Sequence, residues 1–326
     1  MEIEKKASLS LFTTIKTGGL CDYLIRIKTK EDLLAAFDFI NKEKLNFFCL
    51  GGGSNLLIND AGFKGVVLKM ENNQVFFQDD FSVAESGILI TELITLAKSK
   101  NLGGLEWAFP VPATLGGALR NNLGAFSFDL SKIVEEITFF DWKKNVFSTL
   151  KGTDCLFSYR KSIFSDHPNW VIFSAKIRWT KMDRKKIELE LIHFLNKRRS
   201  KQPLEYPSSG SFFRNPSIEN LGKEKKTKLI NDFILSKNIA SKDEALALEK
   251  DIWERQTLPA GYFIERLNLK GKKIGGAQIS EKHANFLINY NNAKTEDIII
   301  LSSVIKEKVR NRFDVQLHEE VQYIGF

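Results

Sequence analysis

Three consecutive glycines at residues 51–53 constrain the fold more than any other feature of this chain. They lie between two apolar runs, residues 45–50 and residues 56–58, where strands are expected. Glycine weakens a strand because it has no side chain to pack and loses much conformational freedom on folding. A chain that places three glycines there needs bare backbone at this point.

Two interpretations of this stretch stay open from the residues alone. A glycine run between strands forms a tight turn, because glycine reaches positive φ without strain. Consecutive bare N–H groups also form a concavity that binds anions such as phosphate. The stretch lacks the G-x-G-x-x-G pattern of a Rossmann helix and the lysine of a P-loop, so a phosphate loop here would have another design.

Two later stretches are also rich in small residues. Residues 103–126 contain five glycines and two prolines, and residues 200–216 contain a serine- and glycine-rich turn. We expect the first two glycine-rich regions to bind one extended ligand and the turn to bind another. The turn residues concerned are Ser208, Ser209, Ser211, Arg214 and Asn215.

Length and composition limit the class of protein. The chain has 326 residues, which suits two or three domains, and its 43% hydrophobic and 27% charged residues are typical of a globular protein. The first residues contain no apolar segment of signal-peptide length, and no apolar run approaches the ~20 residues of a membrane span. The sequence therefore predicts a cytoplasmic protein without a membrane partner.

The formal net charge is +8, which fits either nucleic-acid binding or the handling of small anionic substrates. The basic clusters at 181–186 and 222–228 are short and interrupted by acids, a pattern typical of solvated faces. We therefore expect small anions, and no nucleic acid, as partners. The three cysteines and four histidines are scattered without ligand spacing, so no metal site is expected.

Periodicity predicts several elements. Thr29 followed by Asp32 is typical of a capped amphipathic helix. Alternate residues of 171–179 are predicted to share one buried face of a strand. Residues 217–258 are mostly helical in pattern, and residues 314–325 are predicted to form the last strand.

Six segments, in order, resemble the UDP-N-acetylenolpyruvoylglucosamine reductases, flavoenzymes of peptidoglycan precursor synthesis. The resemblance extends from about residue 11 to the C-terminus. The chain departs from the family pattern at Phe12, where Asn is usual, and at Pro110 and Ala113, where Gly is usual. The six segments are LGGGSNLLI, PATLGGALRNNLGA, YRKSIF, RRSKQPLEYPSSGSFFRNP, LKGKKIGGAQISEKHANFLIN and LHEEVQYIG.

The resemblance implies an α+β protein with a two-part FAD-binding module of the vanillyl-alcohol-oxidase (PCMH) type. This module would occupy residues 1–182, in lobes of about 1–72 and 73–182. A C-terminal α+β substrate domain would occupy residues 183–326, with its last strand returning towards the FAD site. The implied cofactor-binding residues are Gly51, Gly52, Gly53, Ser54, Asn55, Thr114, Gly116, Gly117, Asn122, Gly124 and Ala125.

The resemblance also implies a reaction, in which NADPH reduces bound FAD and hydride then reaches the enolpyruvyl ether of a UDP-sugar, giving UDP-N-acetylmuramate. Arg160 and Glu320 would stabilise the charge that develops on the substrate carboxylate. Ser211 would donate a proton to the adjacent carbon. The implied substrate-binding residues are Tyr159, Lys201, Asn215 and His283.

Pattern and resemblance disagree about two adjacent carboxylates. Alternation along the predicted last strand puts Glu319 on the apolar face with Val321. The resemblance instead selects Glu320. A one-residue β-bulge near these residues would reconcile the two, because a bulge re-aims side chains.

Two alternative functions remain from the sequence. One is a different flavin oxidoreductase on the same FAD scaffold, against which the C-terminal segments argue because they belong to the substrate side of the family. The other is a basic binding protein without enzymatic activity, which would lack flavin and bind nucleic acid in a salt-dependent manner. A monomer is expected.

Overall fold

Helices and strands are mixed along the chain in the computed structural model, which describes residues 1–239 and 241–326. The strands are β1 (Glu2–Lys5), β2 (Cys21–Ile27), β3 (Phe47–Leu50), β4 (Leu56–Ile58), β5 (Phe63–Met70), β6 (Val75–Gln78), β7 (Phe81–Glu85), β8 (Leu102–Gly103), β9 (Gly124–Ala125), β10 (Phe128–Asp129), β11 (Val134–Asp141), β12 (Val146–Lys151), β13 (Trp170–Arg178), β14 (Thr180–Lys181), β15 (Ser208–Ser211), β16 (Lys273–Ile274), β17 (Ala277–Ile279), β18 (Phe286–Asn289) and β19 (Gln322–Ile324). The helices are α1 (Lys30–Glu43), α2 (Ile90–Ser99), α3 (Leu115–Arg120), α4 (Ile163–Asp166), α5 (Arg184–Lys201), α6 (Lys223–Leu235), α7 (Lys242–Arg255), α8 (Ala260–Glu265) and α9 (Thr295–Phe313). The expected α+β class is confirmed.

The chain divides into two compact units. The first comprises Met1–Ser54, Ile58–Ser200 and Ile324–Phe326, and the second comprises Asn55–Leu57 and Lys201–Tyr323. These are units of compactness, and the functional domain bounds at residues 182 and 183 stay a prediction. Within the described residues, no helix combines the length and apolarity that crossing a membrane requires.

The predicted capped helix is present as α1 in the first unit. The Thr29 hydroxyl accepts a hydrogen bond from the Asp32 N–H at 3.1 Å, and the Asp32 carboxylate accepts one from the Thr29 N–H at 3.2 Å. This capping box satisfies donors that the first helical turn leaves open. Helix α1 packs on a four-stranded sheet in the order β1-β2-β5-β3, in which β5 is parallel to both β2 and β3.

A second sheet of the first unit, in the order β12-β11-β13-β7-β6, is antiparallel throughout. The register between β11 and β13 shifts by one residue, so that Phe173 has no residue opposite it. Val171 and Phe173 consequently pack in a core with α1, whereas Ala175 and Ile177 pack in a second core. The predicted single buried face of residues 171–179 is wrong, because this bulge interrupts the alternation.

The second unit contains an antiparallel sheet in the order β15-β18-β17-β16. Helices α6 and α7 confirm the helical pattern predicted for residues 217–258. The last strand is much shorter than predicted, since only β19 is regular and the chain bends at Glu320 and Val321. Val315, Leu317 and Val321 are nevertheless buried as the alternation predicted, whereas Glu319 and Glu320 are both half-buried.

Arg198 on α5 is buried in the first unit, with only 6% of its surface exposed. Its Nε donates to the Phe109 carbonyl and its Nη2 to the Trp107 carbonyl, both at 3.0 Å. Burial lowers the pKa of the guanidinium to about 10, and the nearby charge of Arg160 adds to the effect. The side chain thus fixes the backbone in the first half of the second glycine-rich stretch.

We expect Arg198→Met to lower the free energy of unfolding by about 3 kcal/mol, because two carbonyls lose their donors at a buried position. The neighbouring Arg199 is exposed, so Arg199→Met is the matched control and should change stability by less than about 0.5 kcal/mol. Urea denaturation of both variants measures the difference. Equal losses would show that the two carbonyl contacts do not hold this segment.

Candidate active site

The glycine run requires bare backbone because this chain packs against itself there. A Cβ added to Gly52 would lie 2.5 Å from the Pro112 carbonyl oxygen and 3.2 Å from the Ala113 Cα. Gly53 has a φ of +63°, and a Cβ there would lie 3.0 Å from the Thr13 Cα. Since backbone cannot move aside as a side-chain end can, a tight turn alone does not explain the run.

One buried hydroxyl group beside the glycine run, that of Thr114, is available for a further hydrogen bond. Thr114 is 2% exposed, and among the described residues its Oγ1 has no hydrogen-bond partner. This hydroxyl points at the bare Cα of Gly51, where an added Cβ would collide with it. A Cβ on Gly117 would meet only this Oγ1, at 3.5 Å, so that side of α3 is open. Bare backbone, an unsatisfied hydroxyl and open space together fit a diphosphate-containing cofactor.

Other predicted cofactor glycines have a packing role. A Cβ on Gly116 would lie 2.8 Å from the Ser86 Cβ, and one on Gly124 would lie 2.9 Å from the Phe128 carbonyl oxygen. Both glycines are thus required by contacts within the first unit. Ala125 pairs with Phe128 in the β9–β10 hairpin. The cofactor roles of these three residues, and of Ser54, stay predictions.

Two cations beside the glycine run were not found from the sequence. Lys69, which lies opposite Leu50 in the sheet, donates from Nζ to the Gly51 carbonyl at 2.6 Å. Burial lowers the pKa of both Lys69 and Arg120. The positive charge of Arg120 favours the thiolate form of the neighbouring Cys49. Only the pairing of β3 with β5 places Lys69 here, so no local sequence signal could have identified it.

Tyr159 and Arg160 occupy the tip of a tight turn in the first unit. Ser158 and Lys161 exchange backbone hydrogen bonds of 3.0 and 3.2 Å on either side of them. Arg160 adopts a φ of +56°, which a residue with a side chain rarely adopts and which recurs at functional sites. Its guanidinium lies 5.9 Å from the centre of the Tyr159 ring, and Tyr159 is 59% exposed.

Asn122 connects this turn to the second glycine-rich stretch. Its Nδ2 donates to the Ser158 carbonyl at 3.0 Å, and its Oδ1 accepts from the Ser131 N–H at 3.2 Å. The hydroxyls of Ser162 and Ser165 both donate to the Arg120 carbonyl, at 2.7 and 2.8 Å. The Tyr159–Arg160 turn is therefore anchored on the end of α3.

The second unit brings the backbone of Ser211 close to that of Glu320. The Glu320 N–H donates to the Phe212 carbonyl at 2.8 Å, directly after Ser211. Glu319 forms a bridge with Phe213, and its carboxylate accepts from Lys306 Nζ at 2.9 Å. Glu319 thus has a structural ion pair, and the chain bends at the next residue, Glu320.

The predicted substrate-binding residues of the second unit differ in their exposure and in their hydrogen bonds. Lys201 is exposed at the end of α5. Asn215 accepts from the Ala260 N–H at 3.2 Å, which fixes its side chain at the start of α8. His283 accepts through Nδ1 from the Asn285 N–H at 3.2 Å, and burial lowers its pKa. Asn285 was not found from the sequence, yet it bonds both backbone groups of Phe213 and so supports the segment next to Ser211.

Known proteins resemble both halves of the chain. A family model of the UDP-N-acetylenolpyruvoylglucosamine reductase C-terminal domain matches residues 202–324, and an FAD binding domain model matches residues 21–146. The reductase of Carboxydothermus hydrogenoformans is 32% identical over 322 residues, covering 97% of this chain and 92% of the relative. That of Clostridium tetani is 30% identical over 318 residues, covering 96% and 89%. The crystal structure of the Thermus caldophilus reductase has a TM-score of 0.75 at 24% identity and covers 99% of each chain.

Two glycine variants separate packing within the chain from cofactor binding. Gly52→Ala should destabilise the FAD-free protein by about 2 kcal/mol, because its Cβ meets fixed backbone. Gly117→Ala should leave the FAD-free protein as stable or up to about 1 kcal/mol more stable, since alanine favours a helix and the space is open. It should nevertheless weaken FAD binding, because the new methyl group occupies the open side of α3.

Urea denaturation of the FAD-free variants and fluorescence titration with FAD measure the two effects. An unchanged FAD affinity in Gly117→Ala would show that the cofactor does not approach this side of α3. An unchanged stability in Gly52→Ala would show that the contact with the Pro112 carbonyl is not a packing constraint.

Proposed function

The chain belongs to the UDP-N-acetylenolpyruvoylglucosamine reductase family, and we propose from this premise that it reduces the enolpyruvyl ether of its UDP-sugar to UDP-N-acetylmuramate. FAD is the cofactor and NADPH the hydride donor. The product is a precursor of peptidoglycan. The observation that carries the proposal is the identity of 32% with a relative that is covered over 92% of its length.

The match to the C-terminal family domain distinguishes this function from other flavin chemistry. An FAD binding domain alone would leave the substrate open, because one scaffold hosts many reactions. Residues 202–324 match the C-terminal domain of this particular family and contain Ser211, Asn215, His283 and Glu320. A different flavin oxidoreductase on the same scaffold is therefore disfavoured.

Bound FAD supplies the hydride chemistry, and residues of the first unit bind and orient the FAD. The bare backbone at residues 51–53 admits a diphosphate at hydrogen-bond distance, and the Thr114 hydroxyl is available as a donor. Lys69 and Arg120 contribute positive charge beside that backbone. These residues bind and orient the cofactor without taking part in bond breaking.

Three side chains act on the substrate in this proposal. Arg160 stabilises negative charge that develops on the substrate carboxylate, through a guanidinium held on a strained, anchored turn. Glu320 acts on the same developing charge. The Ser211 hydroxyl holds the proton that the adjacent carbon receives.

The surroundings of the two adjacent carboxylates favour Glu320 over Glu319. Glu319 is committed to Lys306, which lies on α9 in the same unit. Glu320 lies at the bend, and its backbone is bonded to the residue that follows Ser211. A role near Ser211 therefore fits Glu320, and a stabilising role fits Glu319.

A cytoplasmic location, a monomeric state and the absence of a nucleic-acid partner belong to the same proposal. NADPH and the UDP-sugar are charged, soluble substrates, so an enzyme that uses both is best placed where both are made. The net charge of +8 suits such anions.

The purified protein should be yellow, with one FAD per chain, and should oxidise NADPH faster when UDP-N-acetylenolpyruvoylglucosamine is added. Flavin absorbance after heat release gives the stoichiometry, and NADPH absorbance gives the rate. A flavoprotein that ignores this substrate would support a different oxidoreductase. A protein that neither contains FAD nor is stabilised by it would overturn the proposal.

Glu320→Gln should retain FAD and its reduction by NADPH, yet reoxidise with substrate about a hundredfold more slowly, because the lost group acts only on the developing charge. Glu319→Gln is the matched control and should lose far less turnover, although removal of the pair with Lys306 can lower stability. Stopped-flow measurement of the two half-reactions separates these effects. The opposite ranking would assign the catalytic role to Glu319.

A further inference from the structure

Asn55, which directly follows Ser54 of the glycine-rich loop, is bonded within the second unit to the segment that carries Glu320. Its Nδ2 donates to the Glu320 carbonyl at 3.1 Å, and its own carbonyl accepts from the Gln322 N–H at 3.0 Å. The Glu320 N–H is meanwhile held by the Phe212 carbonyl at 2.8 Å. Both backbone groups of Glu320 are therefore fixed, although the chain bends there and no continuous strand supports it.

Asn122 supports the turn that carries Arg160 in the first unit, although it bonds Ser158 and not Arg160 itself. It is 4% exposed, and its two amide atoms bond the Ser158 carbonyl and the Ser131 N–H. Ser158 closes the turn on which Arg160 is held at positive φ. A buried carboxamide whose donor and acceptor both meet backbone is well suited to fixing that backbone.

We propose that Asn55 and Asn122, one from each glycine-rich loop, are positioning residues that hold the backbone of Glu320 and of the Arg160 turn. The inference rests on the proposed function, because it presumes that these two side chains act on the substrate. Each asparagine lies within a segment whose glycines fit the cofactor. The loops thus have a second task, which is to place the groups that stabilise charge on the substrate.

The expected cost of losing either bond is kinetic more than structural. A misplacement of about 1 Å in a catalytic group can slow a reaction about a hundredfold. The loss of one neutral hydrogen bond has a comparatively small effect on stability. Substrate-dependent reoxidation should therefore respond much more strongly than folding or FAD binding.

Asn55→Asp is the sharpest test, because it keeps the shape of the side chain and replaces the donor by a carboxylate oxygen, and the negative charge that it adds is also added in the control variant below. We expect reoxidation by substrate to slow by about tenfold or more, a larger change than any accompanying loss of FAD affinity, while reduction of the bound flavin by NADPH stays within about threefold of the parent. Hydrogen exchange measured by mass spectrometry should become faster at the amides of residues 320–322. Asn122→Asp, which keeps the acceptor for Ser131, should give the same kinetic pattern with faster exchange at Ser158–Lys161.

Asn72→Asp is the matched control. Asn72 donates from Nδ2 to the Phe173 carbonyl at 2.8 Å and accepts through Oδ1 from the Ser86 hydroxyl at 3.2 Å, so its replacement removes the same kind of bond from residues other than Glu320 and the Arg160 turn. It should lower stability without a selective loss of reoxidation. An equal loss of reoxidation in the control would show that the Asn55 and Asn122 variants act by general destabilisation. That result would overturn the proposal.

A double-mutant cycle with Glu320→Gln separates positioning from catalysis. If Asn55 acts through Glu320, the pair Asn55→Asp and Glu320→Gln should be little slower than Glu320→Gln alone. Fully additive losses, or a loss in Asn55→Asp that appears mainly in FAD affinity, would overturn the positioning role and leave the proposed function intact. Full reoxidation in Glu320→Gln itself would instead remove the catalytic assignment, and the positioning of Glu320 with it.

Discussion

The close approach of backbone to backbone around residues 51–53 is the constraint on which much of the first unit depends. At Gly52 the neighbour is the segment from Pro112 to Thr114, and at Gly53 it is the segment from Phe12 to Thr13. Three stretches far apart in sequence thus meet where none can accommodate another side chain. In the proposed function the same bare backbone also approaches the diphosphate of FAD, so one sequence feature would serve both folding and cofactor binding.

Short sequence patterns correctly predicted the elements that depend only on neighbouring residues. The Thr29 cap, the helices of residues 217–258 and the bare loop at 51–53 each follow from neighbouring residues, and the structure contains all three. The resemblance of six ordered segments added the family, which the relatives confirm. Neither source required knowledge of strand pairing.

Long-range pairing and broken alternation account for what the sequence did not provide. Lys69 reaches Gly51 only because β3 and β5 are neighbours, and Asn55 meets Glu320 across 265 positions of sequence. Period-two reasoning failed at the Phe173 bulge, because it presumes an unbroken strand. The individual roles of the predicted site residues rest on the family resemblance. The structure adds the hydrogen bonds and the burial of these residues.

The bulge at Phe173 has a consequence for how the first unit unfolds. A single strand, β13, delivers Val171 and Phe173 to the core around α1 and Ala175 and Ile177 to the other core. Loss of this strand would open both cores together, so neither retains a complete interior alone. A cut between residues 72 and 73 would therefore remove Phe140, Trp142, Val171 and Phe173 from the core around α1, so the stretch 1–72 alone has an incomplete core.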